Sequence, residues 1–414
     1  MTINIDPRRL VINDRSLSIA IITQGYSTSG GIQTTARWLR SQLEHVGHTA
    51  DVYELATSSN DPLSRRLRDP RTWFTSIRIE RNETDSRTWH VGASVAEFEP
   101  ARYLPRRSLT RRLDRYDVVH VVAGAPALAL AAARAGRPKV LQVATRVSWE
   151  RESVRAPHRA LRAARTLNTL AVDRLERHAL ATVDAVLVMN VEMLDYAREH
   201  SSGLVLLAPP GVDAARFRPG ATPWSGSGPI VSMGRLADTR KGHDRVVAAY
   251  HELCLVLPNP PSLVLAGHGA LPPHILSAIS NVPTNGHVIV RADVADEDLP
   301  SLYREASVYI QGSYEEGLGL SVLEAMSSGL PVVATATAGT RETVKHGITG
   351  YLVEQSADCA RLLAARVVNV LEGAGHAMSP AARDHAREYF SSESTFRRVL
   401  QTYQELGAIS SVRN

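Results

Sequence analysis

The chain has 414 residues, of which 44% are hydrophobic, and a formal net charge of +5; that is too long for one hydrophobic core, which rarely grows past roughly 250–300 residues, and apolar enough to build two. Only Lys139, Lys241 and Lys345 are lysines, against 44 arginines spread along the whole sequence, a bias of composition rather than the clustered basic stripe of a nucleic-acid binder. Cys254 and Cys359 lie far apart without close His or Cys neighbours, which excludes a disulfide framework and a zinc site and points to a reducing cytoplasm.

Residues 1–16 carry no signal-peptide pattern. From Leu17 the sequence reads as a strand, a turn at Gly30-Gly31, and a helix from Ile32 to Val46 with Ile32, Ala36, Leu39 and Leu43 on one face. A second strand follows at Thr49 to Tyr53. Residues 61–115 break this rhythm with Pro62, Pro70, Pro100 and Pro105, with Trp73 and Trp89, and with many arginines; they read as an insertion with strand character at 76–80 and 88–93. Arg102, Arg106, Arg107, Arg111, Arg112 and Arg115 there face a single acid, Asp114, and a second basic helix is expected from about Glu150, with Arg155, Arg159 and Arg162 on one face. These arginines suit either solvent or an anionic surface, a membrane included.

The strand pattern resumes at 116–122, with an alanine-rich helix, a strand at 138–143, a long helix ending near Ala181, and strands at 184–189 and 204–207. The longest apolar-rich run, 118–133, is broken by His120, Gly124 and Pro126 and falls short of the ~20 residues of a membrane helix. His120 lies near the carboxyl end of its strand, where ligands of parallel sheets collect, although a lone strand histidine is commonly a satisfied core residue. Residues 209–228, rich in Pro, Gly and Ser, read as a linker. Strands at 230–233, 263–266, 287–290 and 308–311 then alternate with helices at 243–257, 273–280 and 296–306, and helices near 381–389 and 395–406 close the chain. Strands alternating with helices argue for α/β architecture with two doubly wound parallel sheets.

Gly312 to Val353 concentrates the chemistry. An acidic loop, Tyr314-Glu315-Glu316, meets a turn at Gly317-Leu318-Gly319 and enters a helix at Leu320, followed by a strand at 331–334. A tight glycine turn into a helix presents unpaired N–H groups and the positive end of the helix dipole, an anion site for which phosphate is the first ligand to consider. Glu324 sits inside this apolar helix, where a carboxylate is costly unless hydrogen-bonded; its partner is either an Arg or Lys of the chain or the hydroxyls of a ribose or sugar.

Glu316, seven residues, Glu324, Ala325-Met326, the strand Gly329-Leu330-Pro331-Val332-Val333-Ala334, and Glu342-Thr343-Val344-Lys345-His346-Gly347-Ile348-Thr349-Gly350 together resemble the signature of family 4 retaining glycosyltransferases. Leu318 stands where that family usually has Phe, and Ala338-Gly339 where it often has two glycines. Arg235 and Lys241 recur as Gly-Arg, five residues, Lys-Gly after a strand, and the opening strand, Gly-Gly loop and Gly47-His48 are similar as well. The resemblance implies the GT-B architecture: residues 1–215 as a Rossmann-like acceptor domain, 216–385 as the nucleotide-sugar donor domain, and 386–414 closing back over the first.

It further implies that Arg235 and Lys241 hold the donor diphosphate with the amides of Leu318, Gly319 and Leu320, that Gly30 and Gly31 approach it from across the cleft, that Glu324 binds ribose and Glu316 the donor sugar, and that His120 lies close to that sugar. No cofactor and no metal is implied. The acceptor is a glycan, a lipid-linked sugar or a small natural product, with peripheral contact at the inner membrane face compatible with the basic insertion. The same architecture serves phosphorylases, nucleotide-sugar epimerases and non-catalytic partner subunits. Asn190, Pro210 and Arg291 depart from the family's usual residues, which leaves the acceptor and the donor base open.

Other motifs carry less. Asp296-Glu297-Asp298 opens a helix, where acids complement the dipole. Gly267-His268-Gly269 lacks the third glycine of a dinucleotide fingerprint, since Pro272 stands there. His251-Glu252 has no second histidine for zinc, and no Gly-x-Ser-x-Gly occurs.

Overall fold

A computed structural model describes residues 16–26, 30–75, 77–152 and 159–407, with side chains described outside 152–165. The arginine face expected from Arg155, Arg159 and Arg162 lies outside the described side chains.

The first half alternates β1 (Ser18–Gln24), α1 (Gly31–His45) and β2 (Thr49–Leu55), then β3 (Ile79–Arg81), β4 (Thr88–Val91), α2 (Glu99–Arg102), α3 (Arg107–Leu113), β5 (Val118–Ala123), β6 (Lys139–Val143), α4 (Val147–Glu152), α5 (Arg159–Thr182), β7 (Ala185–Val188), α6 (Val191–His200) and β8 (Leu204–Leu207). Its sheet runs in the order β3-β4-β2-β1-β5-β6-β7-β8, parallel throughout except that β3 pairs antiparallel with β4. The insertion therefore does not stand apart: it supplies the last two strands at one end of the sheet, β4 and the edge strand β3. All six residues of β5 are buried, the mark of a parallel strand covered on both faces.

The second half carries β9 (Ile230–Met233), α7 (His243–Val256), β10 (Leu263–Gly267), α8 (Pro273–Ser280), β11 (Val288–Ala292), α9 (Leu299–Glu305), β12 (Val308–Gln311), α10 (Leu320–Ser327), β13 (Val332–Thr335), α11 (Ala338–Thr343), β14 (Gly350–Val353), α12 (Cys359–Asn369), α13 (Gly375–Tyr389) and α14 (Ser392–Glu405). Its sheet is wholly parallel in the order β11-β10-β9-β12-β13-β14. Two Rossmann-like α/β domains with parallel sheets make up the protein. In each, strand order reverses beside the first strand, between β1 and β5 and between β9 and β12, and the crevice at such a reversal is where open parallel sheets bind ligands.

Three elements differ from the sequence reading. The alanine-rich stretch at Pro126–Ala132 is a 3-10 helix with all seven residues buried; it has no solvent face, so no amphipathic stripe marks its period, and small side chains let a tight turn lie against β5, β6 and α5. The segment at 296–306 opens as a 3-10 turn at Asp296–Asp298 before α9, because Pro300 sits in the first α turn. The helix expected from about 381 starts at Gly375, reached from α12 through a π segment at Val370–Ala374 where Gly373 takes φ 140.

The last helix belongs to the first domain's core. Phe396, Val399, Leu400 and Tyr403 of α14 pack with Leu17, Ile19, Ile21, Val122 and Val140. The chain crosses between domains twice, side by side: the Val212 amide donates to the Phe390 carbonyl at 2.8 Å, and the Thr395 hydroxyl donates to the Pro209 carbonyl at 2.6 Å.

Candidate active site

The two reversals face each other. The loops after β1, β5 and β6 contribute Gly30, Gly31, Gly124, Ala144 and Thr145, those after β9, β10 and β12 contribute Gly234, Arg235, Lys241, Gly267, His268 and residues 315–321, and together with Glu324 they line one cleft of about 260 Å³. Gly319 adopts φ 88, the left-handed turn that glycine takes without strain, and hands directly to α10. The Val322 and Leu323 amides both bond back to the Gly319 carbonyl, so the amides that precede them have no acceptor within the helix and form the positive end of its dipole.

The loop is fixed from three sides. A Cβ on Gly339 would stand 2.4 Å from the Leu318 nitrogen, so α11 packs backbone to backbone beneath the turn. A Cβ on Gly317 would stand 2.9 Å from the Ala144 carbonyl oxygen of the other domain. Asn190 Nδ2 donates to the Gly317 carbonyl at 2.6 Å. Across the cleft, Gly31 faces the Leu320 side chain with only a Cβ-sized space between them.

The cations sit opposite acids. Lys241 Nζ donates to Glu316 Oε2 at 2.6 Å, both half-buried, and Gln311 adds a 3.3 Å bond to the same oxygen. Arg235, 47% exposed, pairs with Asp238 at 2.5 Å. Arg240 bridges the domains: it lies 3.0 Å from Glu150 of α4, 3.0 Å from Asp238 and 3.6 Å from Glu315. Burial, with Glu316 and Glu150 close by, pushes the Glu315 carboxyl up to about 7, against the pull of Arg240. Burial likewise pushes Glu324 up to about 7, although Tyr303 donates to its Oε2 at 2.9 Å. Among the described residues the hydrogen-bond partner of this acid is thus a tyrosine hydroxyl, with Arg216 adding a charge attraction without an ion-pair contact.

The structure brings Gly30, Gly31, Arg235, Lys241, Glu316, Leu318, Gly319, Leu320 and Glu324 to one cavity. His120 is the exception and corrects the sequence reading. It lies in the third position of β5, fully buried, with Nδ1 2.7 Å from the Tyr403 hydroxyl of α14, and burial pushes its imidazole down to about 3. It shares the sheet face of Val118 and Val122, which α14 covers, so its side chain points into the core and lines no part of the cleft. Arg240, Glu150, Asn190 and Tyr303 were not singled out from sequence for these roles; only the position of Arg240, directly before Lys241, offered a signal. Among the described residues no group of three His, Cys, Asp or Glu is arranged to hold a metal ion.

Residues 29–216 match the family model described as Glycosyltransferase Family 4, and residues 223–385 match that of Glycosyl transferases group 1. A GDP-mannose-dependent alpha-(1-6)-phosphatidylinositol monomannoside mannosyltransferase of Mycolicibacterium smegmatis is 33% identical over 162 residues, 35% of this chain and 42% of that protein. The first curated relatives are thus matched over less than half their length. A D-inositol 3-phosphate glycosyltransferase of Kribbella flavida is 27% identical over 92% of both chains. Among solved structures, sucrose-phosphate synthase of Thermosynechococcus elongatus superposes with a TM-score of 0.70 at 22% identity, over 96% of this chain and 100% of the other. HepE of Anabaena in complex with UDP and glucose does so with a TM-score of 0.68 at 16% identity, over 94% and 100%. The architecture is GT-B, and each half of the chain carries a glycosyltransferase domain.

Proposed function

We propose that this protein is a retaining glycosyltransferase that moves a sugar from a nucleotide-diphosphate donor, held mainly by the second domain, to an acceptor presented by the first. The observation that carries the reading is the convergence of Lys241, Arg235, Glu316, Glu324 and the N-terminus of α10 on one cleft, with Gly31 as its opposite wall. Relatives named for GDP-mannose and a neighbour holding UDP differ in the base and share the diphosphate, which is the part these groups address.

Arg235 and Lys241 supply charge to the departing diphosphate, the guanidinium as a fork and the ammonium as a point charge. The free amides of Leu318, Gly319 and Leu320 add fixed donors at no cost of reorganisation. Glu324 takes the ribose hydroxyls, and Glu316, steered by Lys241 and Gln311, takes the hydroxyls of the transferred sugar. The bond from the anomeric carbon to the diphosphate oxygen breaks with its electron pair going to the diphosphate. The acceptor oxygen bonds to the same carbon on the same face, and its proton passes to the leaving phosphate oxygen. No protein nucleophile and no metal enters these steps.

The first domain, which presents the acceptor, offers a surface feature: Phe74 is 96% and Trp73 49% exposed on the arginine-rich insertion. Such side chains beside arginines support peripheral contact with an anionic membrane. No helix among the described residues is long and apolar enough to cross a membrane. The direct test is incubation with a panel of nucleotide sugars and acceptors, reading release of the nucleoside diphosphate and the anomeric configuration of the product by NMR. No turnover across the panel would overturn the enzymatic reading, and an inverted product would overturn retention.

A further inference from the structure

A second cavity, of about 530 Å³, borders the acidic loop, within the size range of small-molecule sites. Thr145, Glu315, Glu316 and Gly317 line both cavities, so the two adjoin along this loop. Both domains build it: Trp149, Asn190 and Glu192 from the first, and Thr337, Arg341 and Gln355 from the second.

Its chemistry is specific. Trp149 offers an indole held in place from behind, with the Arg146 guanidinium 5.5 Å from its ring centroid and Tyr196 at 6.4 Å. Arg146 is itself fixed by an ion pair with Asp173 and stacks over Tyr196 at 3.7 Å. A rigid, amphipathic ring face suits the C–H face of a pyranose or cyclitol ring, while its edge can donate a hydrogen bond. The Glu192 carboxylate, exposed at the rim, has no ion-pair partner among the described residues and is a strong acceptor for hydroxyls.

The charges decide what kind of ring enters. Of the acids lining the cavity, Glu316 is paired with Lys241 and Glu315 lies 3.6 Å from Arg240, while Glu192 has no ion pair among the described residues; the one lining cation, Arg341, is already bonded to both oxygens of Glu354 at 2.8 and 2.7 Å. The positive end of α6 is complemented too, by Glu192 in its first turn and by Glu342, which accepts from the Val191 amide. A phosphate here would meet the unpaired Glu192 carboxylate beside two further acids and no uncommitted cation among the lining residues, an unfavourable placement.

We propose that the second cavity receives the acceptor and selects an uncharged polyhydroxyl end group, a glycosyl or cyclitol ring, over a phosphorylated one; this rests on the glycosyltransferase reading for the placement of the donor. The relatives named for D-inositol 3-phosphate would differ from this chain in that respect.

The test does not need turnover. Protein saturated with UDP or GDP is titrated with methyl α-mannoside, methyl α-glucoside and myo-inositol, and in parallel with mannose 6-phosphate, glucose 6-phosphate and inositol 3-phosphate, with binding read by saturation-transfer NMR. At least one neutral ring is expected to bind and its phosphate to bind at least tenfold more weakly. Trp149→Ala is expected to weaken the neutral ring by about tenfold while calorimetry gives an unchanged Kd for the nucleoside diphosphate, and Glu192→Lys should narrow the preference against phosphates. Tighter binding of the phosphorylated rings, binding insensitive to Trp149→Ala, or no binding of any neutral ring would overturn the proposal. Failure of UDP and GDP to bind would instead count against the donor site, so the two failures are distinguishable.

Discussion

Asn190 of the first domain holds Gly317 of the second: its Nδ2 donates to that carbonyl at 2.6 Å, while its Oδ1 caps α6 by accepting from the Met193 amide at 2.8 Å. One buried side chain therefore starts a helix and positions the acidic loop. Asn190→Asp keeps the cap and removes the donor, leaving a carboxylate beside a carbonyl. The expected result is a lowered Tm together with a tenfold or greater loss in kcat/KM, since the buried carboxylate faces the Gly317 and Ala144 carbonyls, whereas Asn190→Ala should lose about 1 kcal/mol of stability with the cap. Unaltered turnover in Asn190→Asp would show that the loop does not need this tether.

Lys241 is one of three lysines and the only one that reaches the cleft. Lys241→Ala should lower kcat/KM on the order of 10² to 10³, the usual cost of removing a donor to developing charge. The two side chains of its pair with Glu316 are only 22% and 14% exposed, so the variant also leaves a largely buried carboxylate unpaired and should melt lower while remaining folded at the assay temperature. Steady-state kinetics with any accepted donor decides the point, and near-native turnover would remove Lys241 from the site.

Two glycines should fail in different ways. At Gly339 an added Cβ meets backbone atoms of Leu318 and Gly317 at 2.4 to 2.7 Å, so Gly339→Ala must displace the turn and should reduce both Tm and donor affinity. At Gly31 the nearest atom to an added Cβ is a Leu320 methyl at 3.6 Å, an ordinary contact. Gly31→Ala should fold normally and lose activity because the methyl occupies the wall that a diphosphate approaches. Equal activity in Gly31→Ala and the native protein would contradict that placement.

Glu324 predicts a pH signature. Its folded-state pKa is raised from 4.5 to about 7, chiefly by burial, so between those values the folded protein binds more protons than the unfolded chain. Stability from this group therefore falls as pH rises from about 4.5 through 7 and is level above. Glu324→Gln removes the slope: its Tm relative to the native protein should rise across that window and be highest above pH 7, while donor affinity falls. Parallel Tm profiles for the two proteins would show that the carboxyl is not raised.

His120 is expected to matter for the core rather than for chemistry. His120→Ala opens a cavity against α14 and strands the Tyr403 hydroxyl, at a cost on the order of 3 kcal/mol. Measured below the melting transition, kcat should stay within about threefold of native. A loss of 10² or more in a fully folded variant would return His120 to the reaction.

Much of this molecule was legible because parallel strands covered on both faces read as short apolar runs, and those at 230–233, 263–267 and 308–311 were placed nearly to the residue. The acidic loop and Glu324 were legible for a related reason, a charge where burial makes charge expensive. Their partners were not. Tyr303 reaches Glu324 from a helix two elements earlier, and Glu150 reaches Arg240 from the other domain; no local period encodes a contact made across a cleft. His120 misled because a strand's alternation says which residues share a face and not which element covers it. Here the cover is a helix that begins 272 residues later, at Ser392.

That helix sets the order of events during synthesis. The sheet face bearing Ile19, Ile21, Val122 and Val140 has no complete cover until Phe396 to Tyr403 arrive, so the first domain leaves the ribosome with an apolar face exposed while the entire second domain is still being made. The first domain should therefore be vulnerable to aggregation during translation. Truncation before Ser392 should abolish the solubility of the half of the protein to which the missing residues do not, by sequence, belong.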